Sequence, residues 1–523
     1  MSGTRLIGGR TVRWDDERAA DAYERGWWVR QTLADALASA VQHAPRRDVL
    51  IDGEHRVDCA TLDERATALA GVMLDRMPVG SVVSFMLPNW HEAAVVYLAA
   101  TVAGMVVNPI LPSLRDRELS FILNDANTRM IVVPGVFGKH DYPAMLKRVT
   151  ADTADPPDVV VLREGAALPA ASRPADLPTL DPDAVRMILY TSGTTGRPKG
   201  VLHSHNSMHA LITQLRDHWG VAPGDRFLVP SPIAHIGGSI YAFECPLLLG
   251  TSAVLMDRWD ADKAVDLITR ERCTHIAGAT PFLEQLLAAA ERAGTRLPTL
   301  KLFVCGGASV SPSLIRRAAA YFENAAVTRV YGSTEVPVTT IGSPDDPDHA
   351  ADTDGRPGFA SIVLGENGEI HARGPQMLVG YLHGDDDAES FDEEGYFRTG
   401  DLARWADDDY LVVTGRAKDL IIRNGENIAP KEIEDILITH PAVAEVAIVG
   451  VPDQRTGERA CAVIVPTGQA RPDVDSLRVF LRSQGVAVFK APERVVIWDA
   501  LPRNDAGKVL KHRIKAALTT MNG

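Results

Sequence analysis

The residues whose types and spacing most openly suggest chemistry form one loop, Thr191-Ser192-Gly193-Thr194-Thr195-Gly196-Arg197-Pro198-Lys199. Its hydroxyl side chains, glycines that let backbone N–H groups approach an anion, and terminal lysine could together hold a polyphosphate. It lacks the Gly-x4-Gly-Lys-Ser/Thr spacing of a Walker loop. Three further groups stand apart: Tyr331-Gly332-Ser333-Thr334-Glu335, then Tyr396-Phe397-Arg398-Thr399-Gly400-Asp401 with Gly415-Arg416, and Pro502-Arg503-Asn504-Asp505-Ala506-Gly507-Lys508. A lone glutamate suffices for Mg²⁺, which keeps most of its waters and takes phosphate oxygens as ligands. A carboxylate at a tight turn can accept both ribose hydroxyls, and an arginine can bridge hydroxyl and phosphate. Each group has a plainer reading in isolation: a turn that binds nothing, a solvated acid, a routine surface ion pair, a solvated lysine.

The elements that must position these residues are legible in outline. Val185, Met187 and Leu189 alternate as in a half-buried strand and run straight into the loop. Before them, Ala151 to Pro182 is rich in Pro, Ala and Asp and reads as a surface loop. Helical patterns at Ala261 to Arg270 and Pro281 to Ala289 alternate with short apolar strands at Leu300 to Val304 and Thr328 to Tyr331, which predicts layered α/β sheets. After Arg416 the pattern becomes a compact α+β unit: helix Pro430 to Leu437, strands Val443 to Val449 and Ala460 to Val465, helix Val474 to Arg482. The expected fold class is therefore α/β, with a large N-terminal layered domain (1–416) and a small C-terminal α+β domain (417–523) that meet at Gly415 to Lys418.

Composition bounds the function. A chain of 523 residues, 46% hydrophobic, can bury a large core in more than one domain. Its formal charge of −14 argues against general affinity for nucleic acid or anionic membrane. The apolar run Ala93 to Val107 is shorter than a membrane span and reads as a buried core helix. Cys59, Cys245, Cys273, Cys305 and Cys461 contain no CxxC pair, and the first residues contain no apolar signal core, so a reducing cytoplasm is expected.

The motifs, in this order and across nearly the whole chain, resemble the acyl-adenylate-forming superfamily of acyl-CoA synthetases, firefly-type luciferases and peptide-synthetase adenylation domains. The resemblance implies ATP, Mg²⁺ and coenzyme A as partners of a carboxylic acid. It assigns nucleotide binding to Thr191, Ser192, Gly193, Thr194, Thr195, Gly196, Lys199, Gly307, Ala308, Tyr331 (stacked on adenine), Gly332, Ser333, Thr334, Asp401 and Arg416, and Mg²⁺ ligation to Glu335. Lys508 matches the catalytic lysine, with Thr191, Glu335 and His235 as its associates. A cation there would stabilise the attack of one anion, a carboxylate, on another, the α-phosphate. Lys418 matches a hinge about which a mobile small domain turns, and Gly425 would then let backbone approach pantetheine.

By the same resemblance Ser231-Pro-Ile-Ala-His235-Ile-Gly-Gly238 is an acyl-site gate, in which His235 positions the acid; a core histidine is the alternative. His235, Ile236, Gly237, Cys305, Gly306, Gly332, Val336 and Thr339 would line the acyl pocket. Acetate-specific relatives place tryptophan at Gly332, and ortho-hydroxybenzoate enzymes place asparagine at Ile236. A medium-chain, alicyclic or simple aromatic acid is therefore expected. Alternatives are transfer to a carrier-protein thiol or an amine, and a non-catalytic nucleotide-binding protein. Pro502 to Lys508 also resembles a sequence modified by lysine acetyltransferases, which would remove the charge of Lys508. An oligomer is compatible with the sequence. Three motifs read as decoys: His205 and His209 at i, i+4, which could bind metal if helical; Asp475-Ser476-Leu477, like a phosphopantetheine site but inside a helix; and Asp385-Asp386-Asp387, a solvated acidic loop.

Overall fold

The computed structural model describes residues 3–163, 167–172, 174, 176–192, 197–307, 310–407, 409–423, 426–453, 455–504 and 507–520, with Ser192, Thr519 and Thr520 described in backbone only. Among these residues the chain is layered as expected. One sheet runs in the order Asp158–Leu162, Thr128–Pro134, Val82–Phe85, Val106–Pro109, Val185–Ser192, Pro198–Ser204, parallel throughout except for its last, antiparallel strand. A longer sheet contains a parallel run of Ala326–Tyr331, Leu302–Gly306, His275–Gly278, Arg226–Val229, Ser252–Leu255 and Asp48–Asp52. Helices Cys59–Arg76 and His91–Val102 contribute to the core cluster that joins the two sheets.

Three expectations change. Strand Val185–Ser192 is buried on both faces, not one: Met187 and Leu189 enter the main core while Ile188 enters a second core on the opposite side. This is the usual fate of an interior strand in a sheet covered on both faces. The apolar run Ala93 to Val107 serves two elements, ending helix His91–Val102 and then beginning strand Val106–Pro109. The presumed loop before Pro182 likewise contains the edge strand Asp158–Leu162.

An antiparallel sheet, Ser361–Leu364, Glu369–Arg373, Phe397–Ala406 and Tyr410–Arg416, follows. From Ile421 a separate sheet forms around Val443–Asp453 and Gly457–Pro466. Helices Pro430–Leu437 and Val474–Ser483 cover one side through Ile433, Leu437, Leu477 and Leu481, and helix Lys511–Thr520 covers the other through Ile514 and Leu518.

The scaffold has one costly feature. Arg186, 2% exposed on the strand that leads to the phosphate-type loop, donates to Glu244, 1% exposed on the π-helical turn Ile240–Glu244, at 2.5 Å and to Tyr97 at 2.8 Å. Its Nε has no partner among the described residues. Removing one member strands a charge in the core. Glu244→Ala should therefore lose about 3–5 kcal/mol, and Arg186→Met/Glu244→Leu should lose less. Denaturant midpoints test this; a double variant less stable than the single one would refute it.

Candidate active site

The sequence-predicted residues gather at the carboxyl ends of parallel strands, where open α/β sheets bind ligands. Thr191 lies at the end of Val185–Ser192, Gly306 ends Leu302–Gly306, Tyr331 ends Ala326–Tyr331, and the Ser231 to His235 segment follows Arg226–Val229. The two sheets are tied by His203, whose Nε2 donates to the Thr334 carbonyl at 2.8 Å. Burial pushes this imidazole down to about 4, so it is neutral.

Glu335 faces the end of the first sheet. Its Oε1 accepts from the Tyr381 hydroxyl at 3.2 Å and lies 3.5 Å from the Thr191 hydroxyl, while its carbonyl accepts from Leu378 N at 2.7 Å. Among the described residues Oε2 has no hydrogen-bond partner. One free carboxylate oxygen beside a hydroxyl fits a Mg²⁺ ion completed by phosphate and water.

Across the cleft, antiparallel pairing sets Asp401 opposite Arg416. Arg416 Nε sits 3.0 Å from Asp401 Oδ1, and the Tyr331 hydroxyl donates to Oδ2 at 2.9 Å. Burial, then the charge of Asp401, raises the Tyr331 phenol, so it stays a donor. Lys508 lies in the field of Arg416, Asp401, Lys418 and Asp419, and burial, then repulsion by Arg416, lowers its ammonium to about 8. Its loop is braced. Asn504 accepts from Lys508 N at 2.8 Å, and Arg503 donates to the Gly507 carbonyl at 2.7 Å and to Glu445 at 2.5 Å. Gly507, at φ 79°, lies where a Cβ would come within 3.5 Å of Ala279 and Pro281, at the start of helix Thr280–Ala293.

The gate histidine is half-buried, and its Nε2 is a buried atom with no partner among the described residues. Burial holds its pKa below the ordinary value, which suits positioning of a carboxylate by a neutral ring. Gly238 is required sterically, since a Cβ would stand 2.2 Å from the Pro232 carbonyl oxygen. Gly237 opens onto free space, and Ile236 is half-buried beside the main core together with Ala277, Val330 and Val338.

Other expected pocket residues are placed differently. Cys305 points to the opposite face of its strand, into the core with Phe282, Leu283 and Leu314, because side chains alternate along a strand. Burial pushes its thiol up to about 12. Val336 is buried in a cluster with Val201, Met377 and Tyr381, and Thr339 is buried with its hydroxyl on the Val336 carbonyl at 2.5 Å. A Cβ on Gly332 would meet Val338 N at 2.6 Å, and one on Gly306 would meet Val330 Cγ1 at 2.5 Å. The bare backbone at Gly332 thus lets the 333–339 turn close, and pocket length does not follow from it. Sequence reasoning missed Ala277, Val330 and Val338. Val338 adopts φ 48°, uncommon for a β-branched residue, with its carbonyl held by Gln214 Nε2 at 3.2 Å. Its side-chain type signals none of this.

The acidic run is also a correction: Asp386, expected in a solvated loop, lies 3.4 Å from Lys199 Nζ. That run instead forms the helical turn Asp385–Ala388, and the Asp386 side chain is 11% exposed. His205 and His209 do lie on one helix, His205–Trp219, but His205 Nδ1 accepts from Leu33 N and His209 Nδ1 donates to the Trp27 carbonyl. Burial lowers both, and each Nδ1 is engaged by a backbone group, so the pair is structural. Asp475 to Leu477 lies within helix Val474–Ser483. The ligand-type cluster Asp52, His91 and Glu92 is already filled by the Arg163 guanidinium, 3.0 Å from Asp52 and 2.8 Å from Glu92. Gly193, Thr194, Thr195, Gly196, Ala308, Gly425 and the Ser192 side chain lie outside the described residues. No described helix is long and apolar enough to cross a membrane.

Comparison with known proteins shows the family and the fold. Residues 37–382 match the AMP-binding enzyme family and residues 432–508 its C-terminal domain. The chain is 30% identical to the medium-chain fatty-acid–CoA ligase of Escherichia coli, over 97% of this chain and 94% of the relative. It is 34% identical to triostin synthetase I of Streptomyces triostinicus, over 97% and 98%. Among solved structures, ATP-bound MatB from Rhodopseudomonas palustris superposes with a TM-score of 0.82 at 28% identity, covering 94% of this chain and 100% of that one. The apo form of the same protein reaches 0.74 with the same coverage. The chain belongs to the AMP-binding enzyme family, the acyl-adenylate-forming ligases that work with ATP and Mg²⁺ and, in the acyl-CoA ligases among them, with coenzyme A.

Proposed function

We propose that this enzyme joins a medium-chain, alicyclic or simple aromatic carboxylic acid to the α-phosphate of ATP and passes the acyl group to coenzyme A. The observation that carries the adenylation step is the convergence of Lys508 on the Asp401–Arg416 pair. Asp401 and Arg416 would hold the ribose and α-phosphate. Lys508 would then stand where the attacking carboxylate and the phosphate bring like charges together. Mg²⁺, on Glu335, would neutralise charge on the leaving pyrophosphate. His235, neutral, positions the acid and need not act as a base, because a carboxylic acid is already ionised at neutral pH.

The half-buried apolar side chains Ile236, Ala277, Val330 and Val338, which pack against the main core at or near the strand ends of the candidate site, support an apolar acyl group. The Escherichia coli relative is named for medium-chain fatty acids. For the second step, Lys418 and Gly425 would be hinge and pantetheine contact by resemblance, in a small domain that turns after pyrophosphate leaves. Lys508 as an acetylation target belongs to the same reading. Transfer to a carrier-protein thiol or an amine remains the second reading, the amine favoured by the likeness to a solved amide bond synthetase of Marinactinospora thermotolerans, 25% identical with a TM-score of 0.82.

A panel of apolar acids assayed for AMP and acyl-CoA by mass spectrometry tests the proposal. Acyl-CoA that forms only with ATP and CoA together is expected; pyrophosphate exchange without any thioester would sink the CoA step.

Lys508→Ala should lower adenylation by about 100-fold or more while leaving thioester formation from a supplied acyl-adenylate within a few-fold. Equal losses in both half-reactions would contradict the role. The free-enzyme ammonium is charged below about 8 and loses its proton above it. Because kcat/KM reports free-enzyme ionisations, kcat/KM for ATP should fall on the alkaline side of about pH 8. At saturating ATP the limb moves upward, since polyphosphate favours the charged amine. In Lys508→Arg the limb should disappear from the range studied; an identical limb in that variant would assign it to another group.

A further inference from the structure

The base of the phosphate-type loop is held by an acid that the sequence leaves among solvated charges. Asp386 Oδ2 accepts from Arg197 at 2.7 Å, and Oδ1 lies 3.4 Å from Lys199 Nζ. Lys199 and Asp386 are both well shielded, with 13% and 11% of their side chains exposed, and Lys199 Nζ stands 5.0 Å from the ring centroid of Tyr381. Tyr381 donates through its hydroxyl to Glu335, and its backbone N–H donates to Asp387 at 2.9 Å. One short turn therefore contacts the loop through two cations and the Mg²⁺ candidate through one tyrosine.

We propose that Asp386 is a positioning residue for the triphosphate, clasping Arg197 and Lys199 so that these two cations are set for the β- and γ-phosphates. The charge count supports a clasp over a plug. Two carboxylates, Asp386 and Asp387, stand against three cations, Arg197, Lys199 and Arg13, which leaves a net positive charge, so holding Asp386 does not cancel the attraction for ATP. Without Asp386 the two cations repel each other, and a shielded ammonium loses its counter-ion, which costs more than an exposed pair would. The neighbouring Asp387 does not compete for this role: burial raises its carboxyl to about 6, and it is committed to the Tyr381 N–H.

The inference rests on the adenylation reading, and direct binding separates the two. Affinities for ATP·Mg²⁺ and for AMP are measured by calorimetry without any acid. Asp386→Asn should weaken ATP by about 10- to 100-fold, the scale of coupling between residues of one salt-bridge network. It should leave AMP within about 2-fold, because AMP depends on Tyr331, Asp401 and Arg416 and not on the clasp. Asp386→Glu should recover part of the loss, and adding Asp386→Asn to Lys199→Met should cost little more than Lys199→Met alone. Should Asp386→Asn fold poorly, Arg197→Gln, at a side chain 46% exposed, should still weaken ATP several-fold with AMP unchanged. ATP binding as tight as or tighter than in the unaltered chain overturns the clasp, as do parallel losses for ATP and AMP. If the unaltered chain binds no ATP, the adenylation reading falls and takes this inference with it.

Discussion

The Asp401–Arg416 pair is the contact on which the proposed site depends, because it would fix where sugar and phosphate lie relative to everything else. It is made by antiparallel register, one residue directly opposite another, so it inherits the stiffness of two strands. Tyr331, arriving from the end of a different sheet, donates to the same carboxylate. On the proposed reading, a nucleotide held there would have its base against one sheet and its phosphates toward the Thr191 end of another. Glu335, four residues beyond Tyr331, faces that end. Lys508 is the remaining element, brought in from the small domain by a loop whose own hydrogen bonds leave little freedom in its direction.

Such placement requires the two parallel sheets to keep a fixed relation. His203, on the strand after the loop, reaches the Thr334 carbonyl, and Gln214, on the next helix, holds the Val338 carbonyl. Both tie the 333–339 turn to the loop-bearing sheet. Deeper in, the Arg186–Glu244–Tyr97 group links the loop-bearing strand to the helix behind the gate. Buried charges of this kind add little net stability, but they allow few alternative packings. Strand, gate and turn are therefore set by polar contacts with directional demands, and the apolar core supplies the bulk of the cohesion.

Much of this was legible in the sequence, and the failures share a cause. Helix Pro430–Leu437 matches its predicted limits because its apolar period is clear and proline marks its start. Tyr331, Glu335, Asp401, Arg416 and Lys508 stand out because each lies in a short polar cluster beside an apolar strand. Cys305, Val336 and Thr339 were misplaced because small or apolar type suits a pocket wall and a core equally, and only the strand face decides. Asp386 was read as solvent-facing since acidic runs usually are. Its partners lie about two hundred positions earlier, a separation that no local pattern encodes. Val338 carries its significance in backbone conformation, to which a valine gives no clue.

The electrostatics also suggest why the two halves of the reaction need different arrangements. Arg416 and Lys418 both push the Lys508 ammonium toward its neutral form, and Asp401 and Asp419 only partly offset them. In the absence of nucleotide, docking the lysine loop on the cleft thus places like charges together in a shielded space. A triphosphate reverses the balance by bringing several negative charges to the same point, so ATP binding and docking of this loop must favour each other by linkage. Once pyrophosphate has left, most of that negative charge is gone while the cations remain. On the proposed reading, the attraction that held the loop would then be at its weakest, when a thiol would require the lysine to withdraw. A turn about Lys418, as the resemblance implies, would be driven in this way by the charge lost in the first step, without a separate trigger.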